Sequence, residues 1–227
     1  SSGAIMETYS SAVVKPMGIA IDASGNMWVA NNNGIITELS PSGGTYTSTT
    51  YNVGGTPWGI AVDASGNVWV TNYAGVAGGS NSITKLSPSG GTYTSTTYNV
   101  GEMAEYIGIA VDASGNIWLA NIGDTVVKFN PSSETAQTYN VVGGNGLYGI
   151  AIDGSGNVWV TNNNINTVTE LSSTGNVLGT YTVASNPTGI AADASENIWV
   201  ANLGTNSVTK LSPAAGGTYN INTYPTT

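Results

Sequence analysis

Gly18-Ile-Ala-Ile-Asp22-Ala-Ser-Gly25-Asn-Met-Trp28-Val-Ala-Asn31 is the first copy of a phrase that the chain repeats, with small changes, from Gly59, Gly108, Gly149 and Gly189. The copies begin 41, 49, 41 and 40 residues apart. A period of this size, with several strand-length segments in each copy, marks a propeller or another repeat architecture. Residues 1–227 therefore read as one domain.

Working outward from the phrase, residues 19–21, 27–31, 35–39 and 46–52 are short, rich in β-branched or aromatic residues, and separated by turn chemistry. They predict four strands per copy. The link Asp22-Ala-Ser-Gly25-Asn returns at Asp63, Asp112, Asp153 and Asp193, with Glu196 in place of glycine in the last. Asp opens such a turn and glycine accepts its positive φ. No helical period appears, and 31 glycines and eight prolines would interrupt any helix. The expected class is all-β, a single propeller of four-stranded blades. Trp28, Trp69, Trp118, Trp159 and Trp199 hold one matched position, suited to the packing between adjacent sheets.

The pattern Gly-Ile-Ala-hydrophobic-Asp-x-x-Gly-Asn-hydrophobic-Trp-Val resembles NHL-type and streptogramin-lyase-like propeller repeats, over Gly18 to about Leu211. The resemblance implies six or seven blades, whereas five repeats are present; a closed ring of five is the expectation and six the alternative. Residues 4–10 also resemble a fourth strand although the fifth copy has its own at 218–224, so one strand is in excess. Residues 1–17 are read as an extra outer strand that clasps the ring or adds to another molecule.

Composition narrows the function. The net charge is −9, and the cations are Lys15, Lys85, Lys128 and Lys210. Such a chain has no basic stripe with which to release counterions from nucleic acid, and no apolar run reaches the length of a membrane span. With no Cys there are no disulfides or thiolate metal sites. The Ser/Thr/Asn/Gly-rich, charge-poor composition points to an extracellular or cell-surface setting, with any signal peptide already removed.

Candidate ligand-binding residues fall on one end of the blades. Asn31, Asn72, Asn121, Asn162 and Asn202 close the second strand of each copy. Such amides either tie their own loops or form a ring of donors and acceptors suited to hydroxyl-rich ligands. Trp58, Tyr106 and Tyr148 precede the phrase where other copies carry Met17 and Thr188. Aromatic rings beside polar groups suit a carbohydrate or protein ligand. Glu102, Glu105 and Asp124 depart from the repeat and are the best trio for calcium; no other cofactor is expected.

The resemblance implies a catalytic histidine and a magnesium ion for the lyases, and this chain has no histidine. Glu102 or Asp124 could stand in as carboxylates, but no paired acid and nucleophile is legible. The expectation is therefore a non-catalytic binding module. The alternative is a self-assembling surface protein, favoured by the excess strand and by residues 40–54 and 87–101, which are identical.

Overall fold

The computed structural model describes residues 13–73, 82–101, 105–141, 143 and 146–226. These form five antiparallel four-stranded sheets, each a meander of consecutive strands. Blade one comprises Pro16–Ile21, Met27–Asn31, Ile35–Ser42 and Thr45–Asn52; blade two Pro57–Val62, Val68–Asn72, Ser82–Ser89 and Thr92–Asn99. Blade three comprises Tyr106–Val111, Ile117–Asn121, Thr125–Asn130 and Thr135–Asn140; blade four Leu147–Ile152, Val158–Asn162, Thr167–Leu171 and Val177–Thr182. Blade five comprises Pro187–Ala192, Ile198–Asn202, Ser207–Ala214 and Thr218–Pro225. The expected propeller of five four-stranded blades is thus the observed one. Residues 4–10, read as a clasp, lie outside the described residues. Among the described residues no helix is long and apolar enough to cross a membrane.

The recurrent turn explains why each blade forms. Asp22 Oδ1 accepts the backbone N–H of Ser24 and Asn26, while Oδ2 accepts Asn26 Nδ2 and Trp28 Nε1. One carboxylate therefore shapes the turn and satisfies the indole N–H that burial would otherwise orphan. The same Trp Nε1 to Asp Oδ2 bond, 2.9–3.0 Å long, occurs in all five blades. Burial works against the carboxylates of Asp22, Asp63 and Asp112, but these hydrogen bonds outweigh it and hold all three below the usual aspartate range. In blade five Glu196 takes the glycine's place at φ 61°.

Blades pack through apolar clusters at four joints: one to two, two to three, three to four and four to five. Each joint is set by the glycine that opens the repeat. A Cβ on Gly18 would lie 2.6 Å from the carbonyl oxygen of Trp58 in the next blade. At Gly59, Gly108 and Gly149 the same clash, with the carbonyls of Ile107, Tyr148 and Thr188, would be closer still. Only a residue without a side chain permits that approach. Thr161 reinforces one joint, its hydroxyl accepting Gly149 N at 2.8 Å and donating to Thr188 O at 2.9 Å. Trp28, Trp69, Trp118 and Trp159 are buried in these joints at 0–1% exposure.

The joint that would close a ring, five to one, is not packed among the described residues. Ile19 of blade one is 63% exposed, where its counterpart Ile60 in blade two is 8% exposed; Ile21 is 66% exposed, where its counterpart Val62 is partly buried. Across the gap Trp199 is partly exposed and Gly189, Ala191 and Ala201 are exposed. Among the described residues no strand of blade five packs on blade one as neighbouring blades pack elsewhere, which differs from the closure expected above.

Two outcomes follow from the turn. Replacing Glu196 by glycine removes the left-handed strain of a side-chain-bearing residue, and chemical denaturation is expected to show a gain of about 1 kcal/mol. Aspartates with depressed folded values contribute stability that is complete above the ordinary carboxylate range and is lost as pH falls into the depressed range. The melting temperature is therefore expected to hold down to about pH 5 and to fall steeply between about pH 4 and 2; a flat profile there would show that the turns do not govern acid stability.

Candidate functional site

The inner strands of all five blades line a cavity of about 350 Å³ along the propeller axis. Its walls repeat a three-residue step: a variable residue, the joint glycine and an isoleucine. The variable residues are Met17, Trp58, Ile107, Tyr148 and Thr188. The Gly and Ile rings make the lower wall apolar, so chemical individuality lies in the variable ring and the loops around it.

Those loops stand at the end where each first strand begins and each second strand ends. Pro57 pairs with Asn72, and Tyr73 N donates to Thr56 O at 2.9 Å. Tyr73 is thereby held beside Trp58, with ring centroids 5.2 Å apart. Burial, then a hydrogen bond to the Glu105 carboxylate and the negative charge there, push the Tyr73 hydroxyl above its ordinary range, with a smaller contribution from Tyr148. Glu105 is anchored through its own backbone, whose N–H donates to Asn121 Oδ1 at 3.1 Å. An aromatic pair, a neutral phenol donor and a carboxylate therefore converge at one sector of the channel mouth, between blades two, three and four.

The matched asparagines are turned into their own blades. Asn31 Nδ2 donates to Ile35 O and Thr37 Oγ1, while Oδ1 accepts Val14 N. Asn72 Nδ2 donates to Ser82 Oγ and Thr84 Oγ1. Asn121 donates to Thr125 Oγ1, and Asn202 to Ser207 O, Ser207 Oγ and Thr209 Oγ1. Asn162 is fully buried, and neither atom of its amide has a hydrogen-bond partner. Loop-tying is thus the geometry seen in four of the five.

Of the three aromatics, Trp58 and Tyr148 line the channel and Tyr106 does not. Tyr106 stands one residue earlier in its strand, so alternation turns it away from the axis into the joint between blades two and three. Its hydroxyl donates to Val100 O at 3.3 Å, and burial pushes it up to about 12. Ile107 takes the channel position. Repeat alignment on the glycine alone would have shown that offset, since Ile107 is the residue preceding Gly108.

Glu102, and residues 74–81 of the long second-blade loop, lie outside the described residues. Asp124 is exposed, and Glu105 faces Tyr73. Among the described residues no three acidic, His or Cys side chains gather as a metal shell, and the chain has no histidine. The residues described therefore do not fit the magnesium centre that the resemblance implied, and the calcium trio, which includes Glu102, lies partly outside the described residues. Sequence reasoning did not count Tyr73 as a site residue, although it follows a matched asparagine and opens the longest departure from the repeat, residues 73–81.

The third-strand residues Glu38, Lys85, Lys128, Glu170 and Lys210 contact aromatic side chains of their own blades, and two also reach a neighbour: Lys128 Nζ donates to Ser173 O at 2.8 Å and Glu170 accepts the Tyr219 hydroxyl at 3.5 Å. Each lysine lies 4.9–5.3 Å from the ring of its blade's tryptophan, and each glutamate accepts a tyrosine hydroxyl, Tyr51 at 2.8 Å and Tyr181 at 2.9 Å.

Comparison with known proteins places these features. The model of the virginiamycin B lyase family matches residues 6–225. A catalytically inactive histidine-to-alanine variant of virginiamycin B lyase from Staphylococcus aureus with quinupristin superposes with a TM-score of 0.81 at 18% identity, over 96% of this chain and 72% of that one. A streptogramin B lyase gives 0.81 at 22% identity, over 96% and 70%. A nidogen/laminin complex gives 0.74 at 17% identity, over 93% and 80%. No relative among curated proteins matches the sequence. At these identities the structures establish the fold alone, but the family match overturns one expectation. A non-catalytic reading was drawn from the missing histidine, whereas the matching family is one of lyases.

Truncating the loop-tying amide should cost more than truncating the channel aromatic. Asn202→Ala strips donors from buried acceptors and is expected to lower unfolding free energy by about 2 kcal/mol. Trp58→Ala, at a partly exposed ring, should cost less than about 1 kcal/mol in the same urea titration. Equal losses would contradict this division between blade and channel.

Proposed function

This chain belongs to the virginiamycin B lyase family, and from that premise we propose that the channel mouth walled by Trp58, Tyr73, Glu105 and Tyr148 is its ligand site and the seat of its elimination chemistry. The observation that supports the reading is the convergence of a carboxylate, a phenol and two stacking rings at one sector of an otherwise apolar channel.

A lyase cleaves a bond by elimination, which needs a base for a proton and a donor for charge that develops elsewhere on the substrate. With no histidine in the chain, Glu105 is the carboxylate placed to take the proton. Tyr73, kept neutral by burial and by the adjacent negative charge, gives its single hydroxyl proton to Glu105 and so holds that carboxylate at the mouth; once Glu105 has taken the substrate's proton, the Tyr73 hydroxyl is free to turn to charge developing on the substrate. Trp58 and Tyr148 offer flat apolar surfaces on which a ring-bearing ligand stacks. The same two rings support a second reading, in which the mouth holds a sugar.

Quinupristin, the ligand accompanying the inactive relative, is the first probe. It is expected to quench tryptophan fluorescence in the native chain and not in Trp58→Ala, and an elimination product of unchanged mass or a pair of fragments should accumulate on chromatography. Glu105→Gln should retain binding while turnover falls by at least about a hundredfold. Unchanged binding in Trp58→Ala would remove the mouth as the site. Turnover surviving in Glu105→Gln would remove Glu105 as the base. A glycan array read against Trp58→Ala tests the sugar reading.

A further inference from the structure

At two joints, one to two and four to five, a tyrosine of the following blade lies against the Trp–Tyr pair of the blade before it. Tyr93 is edge-on to Trp28 and Tyr51, with centroids 4.8 and 5.4 Å away, and Tyr219 to Trp159 and Tyr181, at 5.0 and 5.1 Å. Both tyrosines come from eight-residue outer strands, Thr92–Asn99 and Thr218–Pro225. Blade four has a shorter outer hairpin that turns at Ser172 to Asn176, and among the described residues no ring of blade four meets the Trp118–Tyr139 pair. Lys128 reaches across instead, 4.9 Å from the centre of the Trp118 ring, and donates to Ser173 O at 2.8 Å. Beside it lies a cavity of about 270 Å³ lined by Asn116, Lys128, Asn130, Thr135 and Gln137. Asn116 belongs to the aspartate turn, so this cavity stands at the end of the blades opposite the channel mouth.

Two of the lining residues depart from the repeat. Two positions beyond the matched third-strand residue the other blades carry Ser40, Ser87, Ser172 and Ser212, where blade three carries Asn130. Paired with the third-strand residue they carry Thr49, Thr96, Gly179 and Asn222, where blade three carries Gln137. The oxygen of each amide is committed. Asn130 Oδ1 accepts the N–H groups of Ser132 and Ser133, and Gln137 Oε1 accepts the Tyr139 hydroxyl. Asn130 Nδ2 and Gln137 Nε2 are left as donors with no acceptor among the described residues. The Asp112 carboxylate, 3.9 Å from Lys128 Nζ, already accepts N–H groups of Ser114, Asn116 and Trp118. The cavity is therefore rich in donors, poor in acceptors and close to neutral.

We propose that this cavity is a binding site for a monocarboxylate of sugar-acid size. One carboxylate accepts from an ammonium and two amides together, using the three donors that the protein leaves unanswered. Thr135 at the rim offers its hydroxyl to the hydroxyl groups of such a ligand. A doubly charged phosphate or sulfate is disfavoured, because Asp112 offsets the charge of Lys128 and the chain as a whole carries −9. A volume of about 270 Å³ falls just below the range of sites for drug-sized ligands and suits a single sugar ring. The site is separate from the mouth, and its failure would leave the roles given to Trp58, Tyr73 and Glu105 untouched.

The test titrates the native chain with glucuronate, acetate, glucose and inorganic phosphate, followed by NMR through the side-chain amide protons of Asn130 and Gln137. Glucuronate is expected to shift both sets saturably with a dissociation constant of about 1 mM, at least about fivefold tighter than acetate, while glucose and phosphate leave them in place. Asn130→Ser and Gln137→Thr install residues that the same repeat uses in other blades, so the melting temperature should stay within about 2 °C of native. Glucuronate affinity, read from the amide that remains, should fall at least about fivefold in each, and Lys128→Gln should abolish binding. No saturable shift with glucuronate up to about 20 mM would overturn the proposal. So would affinity unchanged in both Asn130→Ser and Gln137→Thr, which puts the ligand elsewhere, or phosphate bound as tightly as glucuronate. Acetate bound as tightly as glucuronate would overturn the assignment to a sugar acid.

Discussion

Everything in this propeller depends on how closely a backbone carbonyl of one blade approaches the opening glycine of the blade before it. That distance leaves no room for a Cβ, and it sets the separation at which a tryptophan ring fills the space between sheets. It also fixes where the channel begins. The residue that supplies the carbonyl, such as Trp58, Tyr148 or Thr188, sends its side chain to the channel. Its backbone is bound by packing while its side chain is not. A single strand position thus joins blade to blade and gives each blade its own contribution to the mouth.

Much of this was legible in the residues. Five glycine-led phrases with Asp and Trp at fixed offsets give blade number, strand number and turn chemistry, because a repeat must satisfy the same contacts in each copy. The separation of blade from mouth was legible only in part. Tyr106 and Trp58 both precede the phrase, yet one residue of offset turns Tyr106 to the core. The matched asparagines looked equally suited to loops and to ligands, and only the positions of Thr37, Thr84, Thr125 and Thr209 show how four of them are engaged. The open joint was not legible at all. Ile19 reads like Ile60 and Trp199 like Trp69, since a sequence states what a surface suits and not whether anything lies against it.

Absence of histidine was the strongest sequence argument against catalysis, and it was too strong. Histidine is one base among several, and a family is defined by its whole repeat pattern and not by one side chain. The Tyr73–Glu105 pair sits where departures from the repeat are greatest, among loops whose backbone is fixed by neighbouring blades.

The aspartate beneath each tryptophan has one more implication, for ancestry. Its four hydrogen bonds in blade one all come from within six residues of Asp22, so the turn of the inner hairpin is shaped from within its own blade. A gene segment encoding one such hairpin and its two outer strands can be copied in frame without re-tuning what surrounds it. The identical residues 40–54 and 87–101 look like the trace of such a copying event, on the outer edge where drift has had the least to distinguish.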